Sequence, residues 1–128
     1  MRVLLDTHLL VWGFAYPQKL STVAQDVIKS RENEILYSVV SIWEIGIKAA
    51  LRRPDFPSDP ADVLDEARRL GYRELPITAE LAISASQLPL YHRDPFDRML
   101  VAQALSQSAR LMTADRLLSQ YSNEVWLV

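Results

Sequence analysis

The sequence predicts an α/β fold: a mostly parallel sheet with helices packed on both of its faces. Three observations carry that expectation. Five short runs of strand type alternate with segments of helical periodicity along the whole chain, the pattern of consecutive βαβ units. The first two runs, Val3–Leu5 and Ile35–Tyr37, are apolar at every position, as strands covered on both faces are. Capping residues and prolines stand where helices should begin, and no repeat, low-complexity tract or linker divides the 128 residues, so residues 1–128 read as a single domain.

Taken in order, Val3–Leu5 is a short buried strand followed at once by an almost wholly apolar helix, His8–Tyr16, that Pro17 ends. Ser21 caps a helix over Thr22–Ser30, with Val23, Val27 and Ile28 on its apolar face. The second strand, Ile35–Tyr37, leads through Ser38–Ser41 into a longer helix over Ile42–Arg52. Pro54–Asp59, with two of the seven prolines, is the most loop-like stretch. Asp59-Pro60 is a cap followed by proline at the first helical position, and Gly71 lies just past the end. Between them Val63, Leu64, Ala67 and Leu70 point inward. Tyr72–Ile77 reads as an edge strand, because Pro76 cannot donate to a sheet ladder. Thr78 caps a helix over Ala79–Leu88, and Asp94-Pro95 opens another over Phe96–Ser108. The strand Arg110–Thr113, a short helix over Ala114–Gln120 and a terminal strand over Glu124–Val128 complete the chain.

Composition narrows the chemistry. There is no cysteine, which removes disulfides and thiolate zinc sites and suits a reducing cytoplasm. Two histidines are too few for a histidine-rich metal site. No run approaches the roughly 18 apolar residues of a membrane helix, and Asp6 and His8 interrupt what would have to be the apolar core of a signal peptide. A net charge of −2 provides no global field for nucleic acid, so polyanion binding must come from local patches or bound metal.

The candidate chemistry lies in carboxylates at element ends. Asp6 follows the first strand, Asp115 lies two residues past the fourth, Glu44 sits in the helix after the second, and Asp94 and Asp97 open the helix before the fourth. Singly, each has a structural explanation. Asp6, Asp94 and Asp115 are plausible helix caps, with Asp97 at the third position of the Asp94 cap, and Glu44 can pair with Lys48 one turn on. Together they are harder to dismiss, because acids converging at one end of a parallel sheet repel one another unless a cation offsets the charge. Oxygen-only donors point to a hard ion, Mg2+ or Mn2+. The implied reaction is metal-assisted phosphodiester hydrolysis, with the Thr113 hydroxyl a supporting group. Lys48, Arg93, Arg98 and Arg116, each near one of the acids, are candidate phosphate contacts. His92 reads as an ordinary exposed loop histidine, and Trp12 and Trp43 as core residues.

Four stretches in order, LLDTHLLVW, SVVSIWEIGIK, HRDPFDRMLVAQA and LMTAD, resemble the PIN-domain ribonucleases, and within them the VapC-type toxins of bacterial toxin–antitoxin pairs. The resemblance covers the whole chain. It implies a three-layer α/β/α sandwich with a central, mostly parallel five-stranded sheet and Mg2+- or Mn2+-dependent cleavage of RNA. Residue by residue it places the family's acids on Asp6, Glu44, Asp97 and Asp115, with Asp6 and Asp97 the principal metal ligands and Asp94 a helix cap. It also implies a homodimer and a cognate antitoxin, and apolar surface near Trp12, Phe14 and Tyr16 is where a partner would sit.

Two other classes compete. A phospho-receiver domain needs paired acids after the first strand and an aspartate ending the third, whereas Asp6 stands alone and Tyr72–Ile77 ends in Pro76-Ile77. A haloacid-dehalogenase phosphatase needs a second aspartate where His8 stands, and neither a P-loop nor a GxSxG elbow is present. A non-catalytic α/β binding module would keep the acids only as caps.

Overall fold

A computed structural model describes all residues, Met1–Val128. Five strands, β1 (Arg2–Leu5), β2 (Glu34–Ser38), β3 (Arg73–Leu75), β4 (Arg110–Thr113) and β5 (Val125–Leu127), form one sheet in the order β3-β2-β1-β4-β5. Every pairing is parallel, so the sheet is wholly rather than mostly parallel. Six helices connect the strands: α1 (Thr7–Ala15), α2 (Thr22–Lys29), α3 (Val39–Ala50), α4 (Pro60–Arg69), α5 (Ala79–Gln87) and α6 (Pro95–Ser106). The segment expected as a helix over Ala114–Gln120 is a tighter 3₁₀ turn, Arg116–Gln120.

Successive strand residues point to opposite faces, and that alternation makes two cores. Val3, Leu5, Ile35, Tyr37 and Met112 pack with Leu9, Leu10 and Val11 of α1, Ala24 and Val27 of α2, and Val63 and Ala67 of α4. Leu4, Leu36 and Leu111 face the other way, onto Leu100, Val101 and Ala104 of α6 and Leu118. The result is the expected three-layer α/β/α sandwich. Strands buried on both faces account for the unbroken apolar runs in the sequence.

Several side-chain expectations need correction. On α2 the buried face is Ala24 and Val27, and Val23 is half exposed, since its Cβ lies one position outside the stripe that meets the sheet. Leu70 is half exposed because α4 has ended and the chain is turning. Trp43, expected in the core, is 62% exposed and packs only edge-on against Phe96. Conversely Phe56, within the proline-rich loop, is fully buried against His8.

Helix ends explain the shifted boundaries. α3 stops at Ala50 and α6 at Ser106, each two residues before the end its sequence pattern suggests, because Arg52 (φ 55°) and Ser108 (φ 50°) adopt the left-handed conformation. α4 ends the same way at Gly71 (φ 79°), where the Tyr72 amide donates to the Ala67 carbonyl and the Gly71 amide to that of Arg68. A Cβ at Gly71 would meet no atom within 4 Å, so only the backbone conformation resists substitution. Gly71→Ala is therefore expected to cost about 1 kcal/mol, measured as a lower urea midpoint with an unchanged fold.

The strand order reverses at β1: β2 and β3 lie on one side of it, β4 and β5 on the other. The switch point between β1 and β4, beyond their carboxyl ends, is where ligands bind in open parallel sheets.

Candidate metal centre

Asp6 leaves β1 and caps α1 in one step. Its extended backbone (φ −71°, ψ 169°) turns the side chain back so that Oδ1 accepts the Leu9 amide at 2.8 Å. Its other oxygen, Oδ2, accepts a hydrogen bond from the Thr113 hydroxyl at the end of β4. Thr113 Oγ1 in turn accepts the Asp115 amide at 3.0 Å. The buried Thr113 thus ties Asp6, at the end of β1, to Asp115, beyond β4. Asp115 Oδ1 caps the 3₁₀ turn through the Leu117 amide at 2.9 Å.

The third acid arrives from the opposite side. α3 packs against α1 and α4 of one layer and α6 of the other, so it spans both layers after leaving β2. Thr7 and Ser41 share a buried hydroxyl–hydroxyl hydrogen bond of 2.9 Å that fixes α3 to the start of α1. Glu44, one turn beyond Ser41, is 2% exposed. Its Oε2 takes the Lys48 ammonium, the pairing anticipated for an i,i+4 glutamate and lysine, but buried rather than solvated. Its Oε1 is buried with no hydrogen-bond partner at all.

α6 brings the remaining two acids. Asp94 caps it, accepting the Phe96 amide at 2.8 Å, and Asp97 lies one turn in. The structural explanation holds for three of the acids: Asp6, Asp94 and Asp115 are caps. The convergence shows in the electrostatics. The Asp97 carboxyl is pushed up to about 8, first by burial and then by the charges of Asp94, Asp6, Glu44 and Asp115. Burial also raises Asp6, against the lowering effect of its bonds from Thr113 and Leu9.

Such a group of acids fits a hard divalent cation. The donors are all oxygen, the like charges cost free energy without a counter-ion, and Glu44 Oε1 is a buried acceptor that nothing in the chain satisfies. Beside the acids, Asp6, His8, Trp12, Ala114 and Asp115 line an open pocket of about 290 Å³ in accessible volume.

The basic residues divide. Arg93 and Arg116 are exposed, each adjacent in sequence to the acid sites. Lys48 is not a free cation: it is held by Glu44 and lies 4.0 Å from Asp94 and over the Phe56 ring. Arg98 is not a free cation either. It is buried, and its guanidinium donates to the carbonyls of Ala85, Leu88 and Pro89, each at 2.9 Å. His92, expected to be exposed, is wedged among the acids, its Nε2 lying 2.9 Å from Asp115 Oδ2 and 3.2 Å from Asp97 Oδ2. The only sequence signal was its place two residues before the Asp94 cap.

Comparison with known proteins places these features in context. The sequence pattern of the PIN domain matches residues 3–124. Ribonuclease VapC22 of Mycobacterium tuberculosis (strain ATCC 25618 / H37Rv) is 33% identical over 122 residues, covering 93% of this chain and 91% of that protein. Among solved structures, VapBC2 of Rickettsia felis bound to a DNA fragment from its promoter superposes with a TM-score of 0.69 at 14% identity, covering 100% of this chain and 98% of the other. VapBC-1 of nontypeable Haemophilus influenzae does so with a TM-score of 0.67 at 15% identity, covering 100% and 97%. At those identities the two structures speak to the fold.

Proposed function

The chain belongs to the PIN-domain family, and from that premise we propose that it is a VapC-type toxin, a divalent-cation-dependent endoribonuclease that hydrolyses RNA phosphodiester bonds. The observation that carries the reading is the orphaned Glu44 Oε1 inside a group of mutually repelling acids at the β1/β4 switch point. In this reading the whole chain is one PIN domain working in the cytoplasm. Asp6 and Asp97 are the principal ligands of Mg2+ or Mn2+, with Glu44 and Asp115 completing the set. The cation supplies Lewis acidity and offsets charge on the phosphate.

The chain's own groups do the rest. Thr113 and the Leu9 amide hold both oxygens of Asp6, so its carboxylate cannot rotate away. Lys48 balances the charge of Glu44 through Oε2, and Oε1 is left as a buried oxygen free to take a cation. Arg93 and Arg116, both exposed beside the acids in sequence, remain the candidates for contacts to the RNA backbone phosphates. No helix of the chain is long and apolar enough to cross a membrane.

The structural neighbours are toxin–antitoxin complexes, which supports a cognate antitoxin as partner here. Exposed Phe14 on α1 and Trp43 on α3 suit that contact and a homodimer seam. An acid cluster kept merely as caps, as in a binding module, leaves the buried Glu44 oxygen unexplained.

The test is direct. Purified free of any partner, the chain should cut single-stranded RNA with Mg2+ or Mn2+, stop in EDTA and resume when the cation is restored. Cleavage that persists in EDTA would overturn the metal-dependent reading. Expression of the chain alone should arrest growth, and co-expression of a small protein encoded beside it should restore growth.

A further inference from the structure

His92 is the one side chain hydrogen-bonded to the acid cluster that is neither a threonine nor a lysine, and its surroundings dictate which nitrogen carries the proton. The Asp94 backbone amide donates to Nδ1 at 3.0 Å. A backbone amide can only donate, so Nδ1 presents its lone pair there and the ring proton resides on Nε2. Nε2 is the nitrogen that faces the acids, 2.9 Å from Asp115 Oδ2 and 3.2 Å from Asp97 Oδ2. A protonated nitrogen has no lone pair to give a metal. By distance alone His92, Asp97 and Asp115 form a set able to ligate an ion, but the hydrogen bonding makes the histidine a donor.

The ring cannot easily exchange roles. The His92 amide donates to Tyr121 Oη at 2.9 Å, and the His92 carbonyl accepts from the same hydroxyl at 3.2 Å. Arg98 fastens the loop below through the Pro89 and Leu88 carbonyls. With its backbone held on both sides and only 15% of its side chain exposed, His92 meets the acids as a rigid post.

We propose that His92 is a positioning residue: its Nε2–H, donated to Asp115 Oδ2 with Asp97 Oδ2 3.2 Å from the same nitrogen, holds the two carboxylates in a fixed relation to one another and so orients them toward the cation. This rests on the proposed reading of the acids as a cation site. It assigns His92 to orientation of the ligands and excludes it from the ligand set, in line with the hydrogen-bonded outer partners that ligating carboxylates generally have.

Two measurements on the intact chain test it. Long-range 1H–15N spectra of the cation-free protein near neutral pH should show His92 protonated on Nε2 and unprotonated on Nδ1, and the same tautomer after Mg2+ is added. The opposite tautomer, or a Nε2 that loses its proton when Mg2+ binds, would overturn the proposal. In parallel, Mn2+ affinity is measured by calorimetry for wild type, His92→Ala and His92→Gln. Loss of the imidazole should weaken Mn2+ binding about tenfold or more, within the range for outer-shell partners. The glutamine amide, reaching as far as Nε2 with an N–H, should restore most of the affinity. Equal affinity in wild type and His92→Ala, or no rescue by glutamine, would also overturn it. A wild type that binds no Mn2+ would instead bring down the cation-site reading, and this proposal with it.

Discussion

Asp97→Asn is expected to reduce RNA cleavage to background and, at the same time, to make the cation-free chain more stable at about pH 8. Both effects have one cause. The Asp97 carboxyl is pushed up to about 8 by burial and by Asp94, Asp6, Glu44 and Asp115, from an ordinary value of 3.8. Between those two values the folded chain holds a proton that the unfolded chain has released. Stability contributed by the protonated group is therefore complete in acid below about pH 4 and is lost as pH rises through about 8. Each tenfold difference in proton affinity is worth about 1.4 kcal/mol, so the loss across the window is of the order of a few kcal/mol. Asparagine has nearly the same shape and no proton to lose, so the slope should vanish in the variant. Mg2+ should flatten it in the wild type by a different route, binding the ionised acids, releasing a proton below about pH 8 and stabilising the fold by mass action. Urea midpoints at about pH 5 and about pH 8, with and without Mg2+, measure all of this. Retained cleavage in the variant, or a flat pH dependence in the cation-free wild type, would contradict it.

Arg98→Ala should be the most damaging single change outside the acids, lowering stability by about 3 kcal/mol or more. That is a large share of the 5–15 kcal/mol typical of a folded domain. The guanidinium satisfies the Ala85 and Leu88 carbonyls at the end of α5, the Pro89 carbonyl beyond it, and lies 3.3 Å from the Tyr121 hydroxyl. Its charge meets no carboxylate and is compensated by carbonyl dipoles, as suits a cation at a helix carboxyl terminus. Lysine cannot reproduce a fork that reaches several carbonyls at once, so Arg98→Lys should recover little stability although it keeps the charge. Were Arg98 a phosphate contact, lysine would preserve the fold and RNA binding alike, and alanine would cost affinity rather than stability. Denaturation of both variants separates the cases: an Arg98→Ala chain within about 0.5 kcal/mol of wild type, the range of an ordinary surface substitution, would refute the structural role. Because the same guanidinium anchors the loop that carries His92 and leads into Asp94, lost stability should be accompanied by weaker Mn2+ binding.

These two residues mark the boundary between what was legible in the chain and what was not. Asp94, Asp6 and Asp115 were readable as caps because a cap is local: the carboxylate and the amide it accepts lie two or three residues apart. The strands were readable because burial on both faces demands an apolar residue at every position, and the element order followed from their alternation with helices. The acids that face one another were readable as a list, and a resemblance to a known family supplied their grouping.

Geometry that depends on distant partners was not readable. Arg98 and Arg116 look alike in sequence, each beside an acid, yet one is buried among carbonyls brought from α5 and the other is exposed. Whether an arginine is solvated or buried is decided by which loop folds over it, and charge pattern carries no information on that. His92 looked like a loop residue because its acceptors lie five and twenty-three residues away, and its donor is a backbone amide that every residue possesses. The ends of α3 and α6 were read two residues late, at Arg52 and Ser108, because no glycine marks the left-handed residues there. Sequence by itself determined the alternation of strands and helices, the caps and the supply of acids. Only the tertiary structure decided that Glu44 Oε1 is left without a partner and that His92 stands between Asp97 and Asp115, because both depend on which segments distant in sequence fold against these side chains.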